Sequence, residues 1–272
     1  MSLDKKINEI KLGMAISTYS NKNTSLDRYL IIDKSLESLN EYLKNTSLKI
    51  YCVIIVDGPI PEKHWEILNK YNFNIYCRKI NGGVACTKNT SIRKLIENKI
   101  DIGVLLDDDV FYYCGSFEKY VESMIKCKLH HMLYCQMDEN IRPKNQWKNH
   151  DYYKVDINNH FVMRHRGKGV GCLLTFTPEL INKIGYFKVM SGKYGYEHIN
   201  FTFRAIKSGM ISNSYDIVNS EQYIDHIGFE HLGKGKFKKI HSICEKERIT
   251  ENNKNKNEWK ADLTQYIEII EN

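Results

Sequence analysis

The sequence has no long hydrophobic run and no closely spaced pair of cysteines. No window approaches the roughly 18–20 consecutive apolar residues of a membrane-spanning helix, and no signal-type apolar segment follows the N-terminal Met-Ser-Leu-Asp-Lys-Lys. None of the eight cysteines forms a Cys-x-x-Cys pair, which argues against a zinc ribbon or a disulfide scaffold. We therefore expect a cytoplasmic protein with reduced thiols and no transmembrane segment, for which any membrane contact is peripheral.

The length and composition allow a substantial hydrophobic core. The 272 residues, of which 42% are hydrophobic, suffice for one large α/β domain or two small ones. The formal net charge of +7 comes from basic residues that are spread along the whole chain. This charge indicates an anionic substrate or an anionic surface as a partner.

Strand-like and helix-like segments alternate through the first half of the chain. Strands are predicted at residues 12–18, 49–56, 73–78 and 102–106, and helices at residues 27–43, 61–71 and 86–98. This alternation predicts parallel strands joined by right-handed crossovers. In sheets of this kind, ligands bind at the carboxyl ends of the strands.

The second half of the chain is less regular. We predict helices at residues 117–128, 178–184 and 197–208, strands at residues 131–137, 172–176 and 214–218, and a polar loop at residues 138–160. A low-complexity segment at residues 250–258 resembles a linker. A final helix is predicted after it, because five apolar residues fall on one helical face. These residues are Trp259, Leu263, Tyr266, Ile267 and Ile270.

Three consecutive carboxylates, Asp107, Asp108 and Asp109, follow the apolar strand predicted at residues 102–106. Residues two apart in an extended segment share a face, so we expect Asp107 and Asp109 to point the same way and Asp108 to point away. Two carboxylates at the end of a buried strand can hold a hard divalent cation, and a solvated acidic turn is the alternative. Asp57 ends another predicted strand, where a turn-forming Asp before Gly-Pro is the alternative.

Three blocks of sequence carry a resemblance to a known family. Residues 81–89 are Asn-Gly-Gly-Val-Ala-Cys-Thr-Lys-Asn, residues 106–109 are Leu-Asp-Asp-Asp, and residues 195–201 are Gly-Tyr-Glu-His-Ile-Asn-Phe, preceded by Gly-Tyr-Phe and followed by an Arg and a Gly. In this order and spacing, they resemble the nucleotide-sugar glycosyltransferases of the GT-A fold, especially glycosyltransferase family 2. The corresponding family patterns are Asn-x-Gly…Ala-x-x-Arg-Asn, Asp-x-Asp, and Gly-x-Phe…Gly-x-Glu-Asp-x-x-Phe…Arg…Gly. The chain departs from them at Lys88, where the family has Arg, and at His198, where it has Asp.

The resemblance implies an α/β protein of the GT-A (Rossmann-like) fold, with a mixed, mostly parallel sheet flanked by helices. A single catalytic domain would span residues 1–232, with a nucleotide-binding half at 1–115 and an acceptor half at 116–232. A basic segment, a linker and the C-terminal helix would follow at residues 233–272.

The resemblance also implies a metal-dependent, inverting transfer of a sugar from a nucleotide-sugar, by family precedent a UDP-sugar, to a hydroxyl acceptor. The departing diphosphate gains negative charge, which a divalent cation neutralises, and oxygen ligands suit Mn²⁺ or Mg²⁺. The implied metal ligands are Asp107, Asp109 and His226, and an ordinary hydrogen-bonded histidine is the alternative at residue 226. The general base is Glu197 or His198, unless Glu197 only positions the acceptor.

The remaining candidate residues are predicted to bind either the donor or the acceptor substrate. Donor-binding residues are expected at Thr18, Tyr19, Asp57, Asn81, Gly83, Lys88, Asp107, Asp108 and Gly171. Trp147, Tyr194 and Tyr196 are candidates for stacking on acceptor sugars, with core packing as the alternative. The acceptor is expected to be a glycan, a glycoconjugate or a modified nucleic acid.

Two other classes of function compete with this one. A non-catalytic nucleic-acid or glycan binding module is suggested by four lysines within residues 234–239, although such clusters are usually solvated. A sugar-phosphate nucleotidyltransferase would carry a glycine-rich start on its first strand, and residues 12–19 lack one.

Overall fold

The computed structural model describes residues 2–135, 152–165, 171–189, 195, 197–226 and the backbone of 269–271. In chain order, its strands are β1 (Lys11–Thr18), β2 (Lys49–Val56), β3 (Asn74–Arg78), β4 (Ile102–Asp107), β5 (Val110–Tyr112), β6 (Tyr152–Ile157), β7 (His160–His165), β8 (Leu173–Phe176), β9 (Ser214–Asp216), β10 (Ile224–His226) and β11 (Ile269–Glu271). Its α-helices are α1 (Leu26–Asn45), α2 (Glu62–Leu68), α3 (Val84–Glu97), α4 (Ser116–Cys127), α5 (Pro178–Ile184) and α6 (Glu197–Lys207).

The main sheet has six strands in the order β11-β3-β2-β1-β4-β8. The four central strands, β3, β2, β1 and β4, run parallel, while β8 pairs antiparallel with β4 and β11 antiparallel with β3. The sheet is therefore mixed and mostly parallel, which confirms the predicted fold class. The first four strands were predicted because buried parallel strands carry nearly continuous apolar sequence.

Helices α1 and α3 pack around the strands that end at the site. Helix α3 packs against β1, β2 and β4, and α1 packs against β5 and α2. The buried face of α1 includes Ile32, Leu36 and Leu39, at the spacing of one helical stripe. Ser35 on the same face donates a hydrogen bond to the carbonyl oxygen of Val110, at 2.7 Å, and thereby holds β5 against α1.

Two smaller sheets complete the described structure. Strands β5 and β10 form an antiparallel pair in which His226 lies opposite Val110. This pairing brings His226 next to Asp109, although the two residues are far apart in the sequence. The other sheet has the order β6-β7-β9.

The prediction of a polar loop at residues 138–160 is wrong for its last part. Strands β6 and β7 form a hairpin there, with a two-residue turn at Asn158 and Asn159. Both asparagines have positive φ values, 55° and 60°, as the favoured two-residue hairpin turn requires. Val155 and Ile157 alternate with Lys154 and Asp156 in β6, a period-two pattern typical of a strand that the loop prediction did not use.

The prediction of a helix at the C-terminal end is wrong where the structure describes it. Residues 269–271 form strand β11 on the edge of β3. The open edge of β3 offers unpaired backbone groups, and strand pairing satisfies them. The other residues of the predicted helical face lie outside the described residues. In the parts of the chain that are described, none of the helices has the length and apolar character needed to cross a membrane.

Candidate active site

The site lies at the carboxyl ends of β1, β2 and β4. In the sheet register, Ser17 pairs with Asp107 and Thr18 pairs with Val56, so these strands end side by side. Asp57 follows β2 directly. The polar residues that end each apolar strand therefore meet at one edge, where α/β proteins bind ligands.

Asp108 is buried, and it lies with Asp109 in the turn after β4, where both carboxylates contact Arg28. One of its oxygens accepts a short hydrogen bond from the Thr18 hydroxyl, and the other accepts one from the guanidinium group of Arg28. Thr18 Oγ1 lies 3.0 Å from His64 Nε2, and His64 Nδ1 lies 2.6 Å from Ser20 Oγ. A hydroxyl has one proton, so Thr18, which donates to Asp108, accepts from His64 Nε2–H. Burial lowers the pKa of His64, and the neutral ring accepts from Ser20.

Asp109 lies between a histidine and an arginine. Its Oδ1 is 3.3 Å from His226 Nε2, and its Oδ2 is 3.5 Å from Arg28 Nη1. Burial raises the pKa of Asp109, but His226 and Arg28 outweigh it and the pKa lies below its ordinary value. Oδ1 is buried and has no hydrogen-bond partner within the described residues. Such an oxygen is suited to a cation.

Asp107 is the most exposed of the three aspartates, with 33% of its side chain accessible. The buried ammonium group of Lys88 lies 3.2 Å from Asp107 Oδ1 and donates a hydrogen bond to the carbonyl oxygen of Gly171, at 2.7 Å. Burial lowers the pKa of Lys88, but Asp107 and Glu197 raise it above the ordinary value, so Lys88 is charged. Burial raises the pKa of Asp107, with Asp109 adding to the effect and Lys88 opposing it.

Asp57 holds the glycine turn that begins α3. It accepts a short hydrogen bond from Arg78, and two more from the backbone N–H groups of Gly82 and Gly83, at 3.1 and 2.8 Å. Gly83 has a φ of 86°, and a Cβ atom at Gly82 would lie 2.6 Å from Arg78 Nη2, so both positions require glycine. Asn81 lies in the same turn. A carboxylate has about four acceptor positions, and three of those on Asp57 are used here.

Glu197 and His198 begin α6 beside Gly171. Glu197 is buried, its Oε1 lies 3.7 Å from His198 Nδ1, and its Oε2 makes no hydrogen bond within the described residues. Burial raises the pKa of Glu197, but His198 and Lys88 outweigh it and lower the pKa to about 2. The ring of His198 lies against Gly171, whose carbonyl oxygen binds Lys88. His198 is therefore connected to the aspartate cluster through Gly171 and Lys88.

The charges of this site are unbalanced. Four carboxylates (Asp107, Asp108, Asp109 and Glu197) face two permanent cations (Arg28 and Lys88), which leaves a charge of −2 when the histidines are neutral. No three carboxylate, imidazole or thiol groups in the described ranges are grouped closely enough to enclose a metal ion by themselves. A cation at Asp109 and His226 would therefore take its other ligands from a substrate or from water.

Several predicted site residues lie away from this cluster or outside the described residues. Tyr19 is exposed on the loop after β1. Trp147, Tyr194, Tyr196 and the lysines of residues 234–239 lie outside the described residues. Sequence reasoning missed Arg28, His64 and Arg78. Of these, only Arg78 had a visible signal, since it ends a predicted strand at the same edge as Asp57.

Comparison with known proteins identifies the family. No family model matches the chain. The chain is 34% identical, over 267 residues and 96% of both proteins, to a protein of Acanthamoeba polyphaga mimivirus described as an uncharacterized glycosyltransferase. The chain therefore belongs to the glycosyltransferases and is an enzyme of that class.

Solved structures of S. aureus TarS have the same fold. The complex of TarS residues 1–349 with UDP-GlcNAc matches with a TM-score of 0.56 and 16% identity, over 85% of this chain and 64% of the TarS chain. The complex with UDP matches with a TM-score of 0.52 and 18% identity, over 73% of this chain and 56% of the TarS chain. This chain thus spans less than two thirds of those TarS chains. At such identities, the likeness establishes the GT-A-like fold.

Proposed function

We propose that this glycosyltransferase moves a sugar from a UDP-sugar to a hydroxyl group of a glycan, a glycoconjugate or a modified nucleic acid, with inversion at the anomeric carbon. The observation that carries the proposal is the buried Oδ1 of Asp109, which lies 3.3 Å from His226 Nε2 and makes no hydrogen bond within the described residues, in a cluster of four carboxylates and two permanent cations. The structures of TarS with UDP and UDP-GlcNAc support a UDP-sugar as the donor class.

The donor would lie across the ends of β1, β2 and β4. Thr18 at the end of β1, Tyr19 on the loop after it, and Asn81 and Gly83 in the turn before α3 would surround its nucleoside. Within the described residues, three of the acceptor positions of Asp57 are used, and a fourth would accept from an N–H or O–H group of that nucleoside. Asp107, which is partly exposed, would face the ribose and the diphosphate.

We propose that Asp109 and His226 would bind Mn²⁺ or Mg²⁺ directly, and that Asp107, which is not grouped closely enough with them to enclose an ion within the described residues, would face it through water or the substrate. The residues fit such an ion, because carboxylate and imidazole are accepted ligands and the cluster has more carboxylates than permanent cations. When bound, the cation would neutralise the negative charge that builds on the departing diphosphate. Lys88 would place a further fixed positive charge near the same group.

His198 is the base that we propose, with Glu197 as its partner. His198 is the more exposed of the two side chains, with 17% accessible against 8% for Glu197, whereas His198 and Lys88 hold the buried Glu197 carboxylate in its ionised form with a lowered pKa. Glu197, which faces Nδ1, would instead orient the ring and stabilise its protonated form. The acceptor hydroxyl would give its proton to His198 Nε2 while its oxygen bonds to the anomeric carbon, and the bond to the diphosphate would break with its electron pair leaving on that group.

The proposal is tested by calorimetric titration of UDP into the protein with and without Mn²⁺, followed by a donor-hydrolysis screen that starts with UDP-GlcNAc. We expect Mn²⁺-dependent binding of UDP, weakened at least about tenfold in Asp109→Asn. Asp4→Asn is a matched control, because Asp4 forms an exposed ion pair with Lys128. Absence of UDP binding by the wild-type protein, or equal binding by Asp109→Asn, would overturn the proposal.

A further inference from the structure

Arg28 has no part in the mechanism above, yet it reaches the centre of the aspartate cluster. It lies in the first turn of α1, where its backbone N–H donates to the side chain of the N-cap residue Ser25, at 3.2 Å. Its Nη2 donates to Asp108, and its Nη1 lies 3.5 Å from Asp109 Oδ2. Nη1 is buried and makes no hydrogen bond within the described residues. The guanidinium group therefore contacts two neighbouring carboxylates at once.

The position of Arg28 is fixed by its hydrogen bond to Asp108, which a buried network holds in place. The Thr18 hydroxyl donates a hydrogen bond to Asp108, and it accepts one from His64 in α2. Because this network is buried, moving Arg28 away from Asp108 would leave an unpaired charge in the protein interior, which is strongly unfavourable. Arg28 is thus a rigid neighbour of Asp109.

This arrangement gives the two oxygens of Asp109 different surroundings. Oδ2 faces Arg28, whereas Oδ1 faces His226 and stays without a hydrogen bond. We infer that Arg28 is a positioning residue for the cation site: by holding Oδ2, it keeps the Asp109 carboxylate in the orientation that presents Oδ1 to the cation. The inference rests on the proposed function, since it assumes that Asp109 binds a cation.

Positioning and electrostatic repulsion make opposite predictions for this arginine. A positive charge this close to a metal ligand disfavours a second cation, so a purely electrostatic role predicts tighter metal binding when the charge is removed. A positioning role predicts weaker binding when the contact with Asp109 is lost. Lysine keeps the charge but lacks the planar fork that spans two carboxylates. Arg28→Lys therefore tests position at constant charge, and Arg28→Gln tests it with the charge removed.

The experiment measures Mn²⁺ binding to the full-length, nucleotide-free protein by electron paramagnetic resonance, and uridine binding to the same samples by calorimetry. We expect Kd for Mn²⁺ to rise about tenfold in both Arg28 variants, as is typical when a residue that orients a metal ligand is changed. Kd for uridine, which has no phosphate to contact a cation, should stay within about twofold. Arg93→Lys is the matched control, because Arg93 forms an exposed ion pair with Glu97 within α3.

Unchanged or tighter Mn²⁺ binding in Arg28→Lys would overturn the inference, and so would a parallel loss of uridine binding. If Arg28→Lys does not fold, the Kd values of Arg28→Gln for Mn²⁺ and for uridine are judged by the same criteria. A wild-type protein that binds UDP but no Mn²⁺ would overturn the proposed metal site itself, and the inference with it. If only the inference about Arg28 is wrong, wild type and Arg28→Lys both bind Mn²⁺ and do so equally.

Discussion

The imidazole ring of His198 lies directly against the backbone of Gly171. A Cβ atom at residue 171 would come within 2.6 Å of His198 Nδ1 and 2.9 Å of its Cγ. The carbonyl oxygen of the same glycine accepts the hydrogen bond of Lys88. Because Gly171 has no side chain, the ring of the proposed base can lie against the residue whose carbonyl oxygen binds Lys88.

We predict that Gly171→Ala displaces His198 and leaves donor binding nearly intact. The added methyl group would clash with the ring, which would have to move by several tenths of an ångström or turn away. We expect kcat for sugar transfer to fall about tenfold or more, since misplacing a catalytic group by a fraction of an ångström is costly. Kd for UDP should change by less than about twofold. An unchanged kcat would show that His198 is not needed in this position.

The roles of His198 and Glu197 can be separated by substitution. His198→Asn removes the proposed base and should lower kcat by about 10² or more, with Kd for UDP unchanged. His198→Asp introduces the residue that the family has at this position, and should retain more activity than His198→Asn. Glu197→Gln should lower kcat less than His198→Asn does. If His198→Asn keeps wild-type kcat and Glu197→Gln loses it, Glu197 is the base.

The central sheet could be predicted from the sequence, whereas the polar network beneath the site could not. Strands such as β4 are continuously apolar and end in charged residues, so both the strand and the edge where it ends are visible locally. The expected alternation of the three aspartates assumed an extended strand, whereas Asp108 and Asp109 lie in a turn after β4 and both contact Arg28. The contacts of Arg28 with Asp108 and of His64 with Thr18 join residues 80 and 46 positions apart. No local pattern marks such pairs.

The proposed metal site also combines a feature seen in the sequence with one that only the structure shows. A resemblance supplied His226 as a candidate, and the structure brings it to Asp109 through the pairing of β5 with β10. Both strands are only three residues long, too short to give a periodic signal. The hairpin of β6 and β7 was missed for a different reason, because its turn is formed by Asn158 and Asn159 and lacks the glycine that usually marks such turns.

The buried ion pair of Asp57 and Arg78 should be important for stability. Both side chains are almost completely buried, with 5% and 1% accessible. We predict that Arg78→Met lowers the free energy of unfolding by about 3–5 kcal/mol, because it leaves the Asp57 carboxylate buried without its counter-charge. The double variant Asp57→Asn with Arg78→Met should recover part of this loss. Urea denaturation measures both effects, and a loss below about 1 kcal/mol in Arg78→Met would contradict the prediction.

The stability of the protein should also depend on Asp216, a buried carboxylate at the end of β9. It accepts hydrogen bonds from Tyr120, Ser220 and two backbone N–H groups, at 2.6–2.8 Å. Burial nevertheless raises the pKa of Asp216 to about 7, above the ordinary value of an aspartate in the unfolded chain. Between about pH 4 and 7 the folded protein therefore binds the proton more tightly than the unfolded chain does, and this residue's contribution to stability falls as pH rises.

We predict that the free energy of unfolding of wild type, relative to Asp216→Asn, decreases with pH across this window by up to about 1.4 kcal/mol per pH unit. Below about pH 4 the carboxyl group is protonated in both states, so the difference should stop changing there. Above about pH 7 it is ionised in both, and the difference should level off again. The measurement is urea denaturation of both proteins at a series of pH values, with Asp33→Asn as a control because Asp33 forms a surface ion pair with Lys70. A difference that stays constant from pH 4 to 7 would mean that Asp216 ionises in the folded protein as it does in the unfolded chain.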